Sequence, residues 1–282
     1  MNLIEVRGLC KNFDKFKLQN VDITLEEGFI MGFIGKNGAG KSTTLKTSLN
    51  LMNNDGGTVK LCGYSMPEDE IEIKNQVGYV FGGVDFYPEH KIKVITDLTK
   101  EFYRDWDEKR YNELCERFEI DQSKKFKQLS AGMKVKYSLA VAMSHNARVL
   151  ILDEPTSGLD PAARDDLICI LQEFVEDGKH SILFSTHITS DLEKCADYIT
   201  YIKEGKILAS MDKDSFKNSY LLVSGKKDQL TPDLEPKIIG LHAHQLGFDG
   251  MIHVQDKDAA KKAGLEFSEP LLEDIMIHIE RR

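Results

Sequence analysis

The chain has 282 residues, 41% hydrophobic and 29% charged, which allows a full core and excludes wholesale disorder or a fibrous repeat. A formal charge of −9 argues against nucleic acid or an anionic membrane surface as a direct partner, since both need clustered Lys and Arg. Five scattered cysteines with no C-x-x-C pair, and no apolar run near the roughly 18 residues that cross a bilayer, predict a cytosolic protein without a disulfide or zinc framework.

From the N-terminus, "MNLIEVRGL", "VDITLEEG" and "GTVKLCG" read as short strands between turn residues, which predicts an antiparallel β-subdomain. The apolar run "FIMGFI" (29–34) is a buried strand, and "GKNGAGKS" (35–42) joins it to the helical "STTLKTSLNLM". The spacing G-x-x-x-x-G-K-[ST] between a strand and a helix is the phosphate-binding P-loop in its required context. Gly35, Gly38 and Gly40 let backbone N–H groups wrap phosphate oxygens, and Asn37, Ala39 and Thr43 complete the loop and first turn. Lys41 reaches the β- and γ-phosphates, and Ser42 is a ligand for Mg2+.

Next comes the strand "VGYVF", broken by Gly82 and Gly83. Residues 94–146 are mostly helical in pattern and form a candidate helical subdomain. "VLILDEP" then ends an apolar strand on two acids: Asp153 in the metal-holding position and Glu154 placed to polarise an attacking water. Strands alternating with helices predict an α/β fold, a P-loop NTPase core built on a parallel sheet. After the hairpin pattern at 198–210 a boundary near 213 separates an ATPase domain, 1–212, from a small C-terminal α/β extension, 213–282. In that tail His242 and His244 have alternate spacing but no third ligand nearby, so they read as surface residues; Trp106 reads as packing and "EDEIEIK" (68–74) as a solvated face.

The run "QLSAGMKVKYSLAVAMSHNARVLILDEPTSGLD" narrows the class. "LSAGM" resembles the signature sequence of ABC transporter ATPase subunits, "SGLD" their D-loop, and His187 in "STHITSDLEK" their switch histidine; with the P-loop the resemblance covers about three quarters of the chain. It implies that Phe13 stacks on adenine, that Ser130 and Gly132 contact the phosphates of an ATP held by a second ATPase subunit, and that Asp160 lies at that subunit interface. His187 would contact the γ-phosphate and act with Glu154 in hydrolysis. Asp160 before Pro161 also has the form of a helix cap.

The resemblance further implies ATP and Mg2+ as ligands and a separate transmembrane permease as partner. It places the protein peripherally on the inner face of the cell membrane. The closing "EPLLEDIMIHIERR" resembles antibiotic-resistance and peptide exporter ATPases, including phenol-soluble modulin exporters. Two departures stand out. Ala131 and Met133 replace a glycine and a glutamine of the signature, and Gly82 stands where the family has a magnesium-touching glutamine that couples nucleotide state to the membrane subunit, with Asp85 a nearby substitute. Rival readings are an ATP-gated dimerisation module with little turnover and a soluble ABC ATPase outside transport.

Overall fold

The structure, a computed structural model, describes residues 1–81 and 87–281. Gly82, Gly83 and Asp85, and with them the altered coupling loop, lie outside the described residues. The chain divides into two units, Met1–His187 with Cys195–Ser210, and Ile188–Lys194 with Met211–Arg282.

In the first unit, β1 (Asn2–Asn12) and β2 (Lys17–Glu26) pair antiparallel. Alternation buries Val21, Ile23 and Leu25 of β2 on one face, as a sheet with one covered side requires. The chain then enters a second sheet as β3 (Ile30–Ile34), passes through helix α1 (Lys41–Ser48), and returns as β4 (Gly56–Leu61) and β5 (Tyr64–Met66). The antiparallel sheet has the order β2-β1-β4-β5. Helix α2 (Glu70–Gln76) leads into β6 (Val77–Phe81) of the second sheet.

The helical layer expected from 94–146 consists of α3 (Ile92–Thr99), α4 (Glu108–Arg117) and α5 (Ala131–Ala142). Asp107 caps α4 by accepting from the Arg110 N–H at 2.8 Å. The three helices share a buried polar knot: Thr96 Oγ1 lies 2.8 Å from Tyr111 Oη and 3.0 Å from Tyr137 Oη. Burial pushes the Tyr137 phenol up to about 12 and the Tyr111 phenol higher still, so both rings keep their protons and can donate.

β7 (Val149–Asp153), α6 (Pro161–Val175), β8 (Ser181–Thr186), α7 (Thr189–Cys195), β9 (Tyr198–Lys203) and β10 (Lys206–Asp212) follow. The central sheet runs β10-β9-β3-β8-β7-β6, with β9, β3, β8, β7 and β6 parallel to one another. Every residue of β3, β7 and β8 is buried, which is why these strands read as continuous apolar runs and not as alternation. The α/β class, the parallel core sheet, the antiparallel layer and the helices agree with the sequence reading.

The second unit adds α8 (Lys213–Asn218), β11 (Tyr220–Gly225), β12 (Ile239–Ala243), β13 (Phe248–His253), α9 (Lys257–Lys262), β14 (Glu266–Ser268) and α10 (Leu272–Glu280). Its strands form one antiparallel sheet, β12-β13-β11-β14, over a core that includes Val223, Phe248, Ile252 and Leu265.

Candidate functional site

Three neighbouring strands, β3, β8 and β7, all deliver chemistry at their C-terminal ends. β3 runs into the P-loop, where Lys36, Asn37 and Gly38 are exposed while Gly35, Ala39 and Gly40 are buried. The loop passes so close to β9 that a Cβ on Gly35 would sit 2.4 Å from the Ile202 carbonyl oxygen. Gly40, the N-cap of α1, has φ 116°, and a Cβ there would be 2.9 Å from Phe16 Cζ. These constraints leave the backbone as the lining of the loop, the form a phosphate cradle needs.

Lys41 is only 5% exposed. Its Nζ donates to the Gly35 carbonyl at 2.6 Å and to that of Lys36 at 3.4 Å, and it lies 3.2 Å from Glu154 Oε1. Ser42 and Thr43 follow half-buried in the first turn of α1.

Asp153 closes β7 and is 7% exposed. Its register partner on β8 is Ser185, whose hydroxyl donates to Asp153 Oδ1 at 2.6 Å. Sequence reading did not single out Ser185. The available signal was its place two residues before His187. The Ser42 hydroxyl and the Asp153 carboxylate are hard oxygen donors of the kind Mg2+ takes.

Glu154 leaves the strand at φ 54°, a left-handed conformation that costs a residue with a Cβ about 1–2 kcal/mol. Its N–H donates to the Ser185 carbonyl at 2.9 Å. The turn sends its carboxylate between two cationic or hydrogen-bonding partners: Oε1 faces Lys41, and Oε2 accepts from His187 Nδ1 at 2.7 Å, with the His187 N–H at 3.4 Å. A carboxylate only accepts, so His187 carries its proton on Nδ1. The structure therefore brings Lys41, Glu154 and His187, expected from separate motifs, into one chain of contacts.

Phe13 sits in the β1–β2 turn, 40% exposed, with its ring 6.3 Å from that of Phe16 and 5.8 Å from Lys11 Nζ. Phe16, the ring that borders Gly40, was not singled out from sequence; nothing local distinguishes it from a core aromatic.

Ser130, Gly132 and Asp160 occupy a different cleft, of about 300 Å3. Ser130 caps α5, accepting from the Met133 N–H at 3.2 Å, and Asp160 caps α6, accepting from Ala162 and Ala163 N–H at 3.1 and 3.0 Å. Leu159 lies against Gly132, where a Cβ would come within 3.2 Å of it. Lys136 joins the lining, so this cleft presents helix N-termini, hydroxyl and ammonium.

Elsewhere, Trp106 packs on Tyr111 and donates to Glu108 Oε2 at 2.9 Å. His242 Nδ1 and His244 Nε2 lie 3.1 and 3.7 Å from Asp249 Oδ1, yet among the described residues no group of three or more His, Cys, Asp or Glu is arranged to hold a metal.

Residues 18–157 match the family model described as ABC transporter. The chain is 31% identical over 222 residues to the ABC transporter ATP-binding protein YtrB of Bacillus subtilis (strain 168), covering 78% of this chain and 76% of that protein. It is 27% identical to the bacitracin transport ATP-binding protein BcrA of Bacillus licheniformis, across 89% of this chain and 84% of the relative. Among solved structures, one described as the ATP binding subunit of an ABC transporter is similar with a TM-score of 0.69 at 28% identity, over 76% of this chain and 92% of the other.

Proposed function

Since this chain belongs to the ABC transporter ATP-binding family, we propose that its Lys41–Glu154–His187 chain is the hydrolytic centre of an ATPase subunit that works as a pair and drives a separate permease. The observation that carries this is the Glu154 carboxylate. A left-handed backbone turns it toward Lys41, the phosphate-facing cation, and His187 fixes its other oxygen.

Glu154 accepts the proton of the water whose oxygen attacks the γ-phosphorus. The bond from that phosphorus to the bridging oxygen breaks, and ADP departs with the electron pair. His187 Nδ1–H holds the carboxylate in line, and Lys41 screens phosphate charge. Ser42 and Asp153 would hold Mg2+, which offsets charge on the phosphates when bound. Phe13 supplies an exposed ring at the loop edge for the adenine, and Gly35 to Thr43 enclose the phosphates. Ser130, Gly132 and Asp160 serve the site of the second subunit, which explains a polar cleft apart from Lys41.

No helix among the described residues is long and apolar enough to cross a membrane. In this reading a separate permease holds the subunit at the inner membrane face. The bacitracin transport relative supports a peptide, antibiotic or other amphipathic cargo, a class that includes phenol-soluble modulins, and we read the direction as export.

The test mixes two inactive chains. A Lys41→Ala subunit with a Ser130→Arg subunit gives a mixed dimer with one doubly damaged site and one intact site. Each variant alone should be nearly inactive and the mixture should recover ATPase activity. A verified mixed dimer with neither activity nor a tightly held ATP would overturn the shared-site homodimer.

A further inference from the structure

Strand β1 ends at Asn12, the residue before Phe13. That end is held by one residue from the far side of helix α1. Asp55 immediately precedes β4, and Gly56 of β4 is the register partner of Cys10 on β1, so Asp55 runs alongside Lys11 and Asn12. Its N–H donates to the Cys10 carbonyl at 2.9 Å. Its Oδ2 accepts from the Asn12 N–H at 2.7 Å and from Asn12 Nδ2 at 3.1 Å, and its Oδ1 accepts from Lys11 Nζ at 3.2 Å. The Asn12 N–H first, and the Lys11 ammonium after it, hold this carboxyl below the ordinary carboxylate range, so it is an anion at neutral pH.

The run Cys10–Asn12 thus shares one partner, and the turn after it is closed on its other side. The Phe13 N–H donates to the Phe16 carbonyl at 2.8 Å, and the Phe16 ring borders Gly40 at the N-cap of α1. Phe13 therefore stands between two fixed points, the Asp55 bonds behind it and the edge of the P-loop ahead. The Lys11 ammonium that Asp55 holds also lies 5.8 Å from the centroid of the Phe13 ring, within reach of a cation–π contact. A base stacks on such a ring face to face, so the ring serves only while its plane is held. Bonds to the main chain at Asn12 limit rotation of the peptide that leads into Phe13, and the bond to Lys11 keeps a cation against the ring itself.

We propose that Asp55 is a positioning residue for the nucleotide base: by bonding Asn12 and Lys11 it sets the Phe13 ring on which adenine stacks. It acts on the base and leaves the phosphates to the P-loop. The proposal rests on the reading of Phe13 as the adenine platform.

The test is a double-mutant cycle in the full chain, read by calorimetric titration with two ligands: a non-hydrolysable ATP analogue, which carries the base, and inorganic tripolyphosphate, which lacks it. Loss of an aromatic platform under a base weakens binding about 5- to 150-fold, so Phe13→Ala should weaken the analogue by about fivefold or more. Asp55→Ala should reproduce part of that, about threefold or more, with tripolyphosphate changed less than about twofold. Asp55→Asn, which keeps an acceptor for the Asn12 N–H and loses the charge facing Lys11, should fall between wild type and Asp55→Ala. In a Phe13→Ala background the same Asp55→Ala change should cost less than about twofold, because the ring it acts through is gone. A smaller loss than that in Asp55→Ala alone, equal losses in both backgrounds, or an equal loss for tripolyphosphate would overturn the proposal. Should circular dichroism show Asp55→Ala unfolded, Lys11→Met replaces it in the cycle under the same criteria. Wild-type analogue affinity in Phe13→Ala would overturn the reading of Phe13 and this proposal together; a weakened Phe13→Ala beside an unaffected Asp55→Ala overturns only the role of Asp55.

Discussion

Replacing Glu154 by Gln separates two roles proposed for one carboxylate. The substitution keeps the size of the side chain and removes the anion opposite a 5% exposed ammonium, whose Nζ lies 3.2 Å from Oε1. The contact is an ion pair and not a hydrogen bond, and with Glu154 20% exposed it is worth about 1 kcal/mol, the upper end for pairs open to solvent. In the resting chain that interaction competes with phosphate for Lys41. Its loss should tighten binding of a non-hydrolysable ATP analogue by about fivefold, since each 1.4 kcal/mol is about tenfold. Turnover should fall about 10²-fold or more, because the proton acceptor is gone. Calorimetric titration with the analogue reads the first effect free of hydrolysis, and phosphate release reads the second. Unchanged or weaker analogue affinity would refute the competition, and turnover within a few-fold of wild type would refute the base.

Two further outcomes concern stability. His145 is 1% exposed and stacks 3.8 Å from Tyr103, and burial lowers its pKa below the ordinary 6.5. The unfolded chain then takes up the proton first, so stability present above pH 6.5 should decline as pH falls below it, and thermal melts should show a shallower decline in His145→Phe. Thr96→Val keeps the shape of the side chain but removes the hydroxyl that Tyr111 and Tyr137 share, and should destabilise by about 1–3 kcal/mol, read as a lower urea midpoint with the slope unchanged.

The elements legible in the sequence are those whose cause is local. An all-buried strand such as β7 needs continuous apolar residues, and the P-loop needs glycine wherever its backbone crowds a neighbour, so both are written into short stretches. Asp153 and Glu154 could be singled out because acids at the end of such a strand are conspicuous. Long-range pairings could not be read. The Ser185–Asp153 bond depends on β7 and β8 lying side by side in register, across 32 residues of chain. Asp249 faces His242 only because β12 and β13 form a hairpin, so the histidines looked isolated in sequence. Thr96, Tyr111 and Tyr137 carry no periodic or motif signal that marks them as one knot. The attachment of Asn12 to Asp55 is likewise invisible until β1 and β4 pair, across 43 residues.

The left-handed backbone at Glu154 also bears on how this protein can be engineered. At φ 54°, Asn or Gly would sit with less strain than Glu, so a screen rewarding heat resistance alone would favour exchanging this residue. The winners of such a screen would be robust and, on the role proposed for Glu154, catalytically silent. Stabilisation of this chain therefore has to hold position 154 fixed and draw its gains from surfaces remote from the β7–β8 strand ends, since at this turn thermal robustness and turnover are opposed objectives.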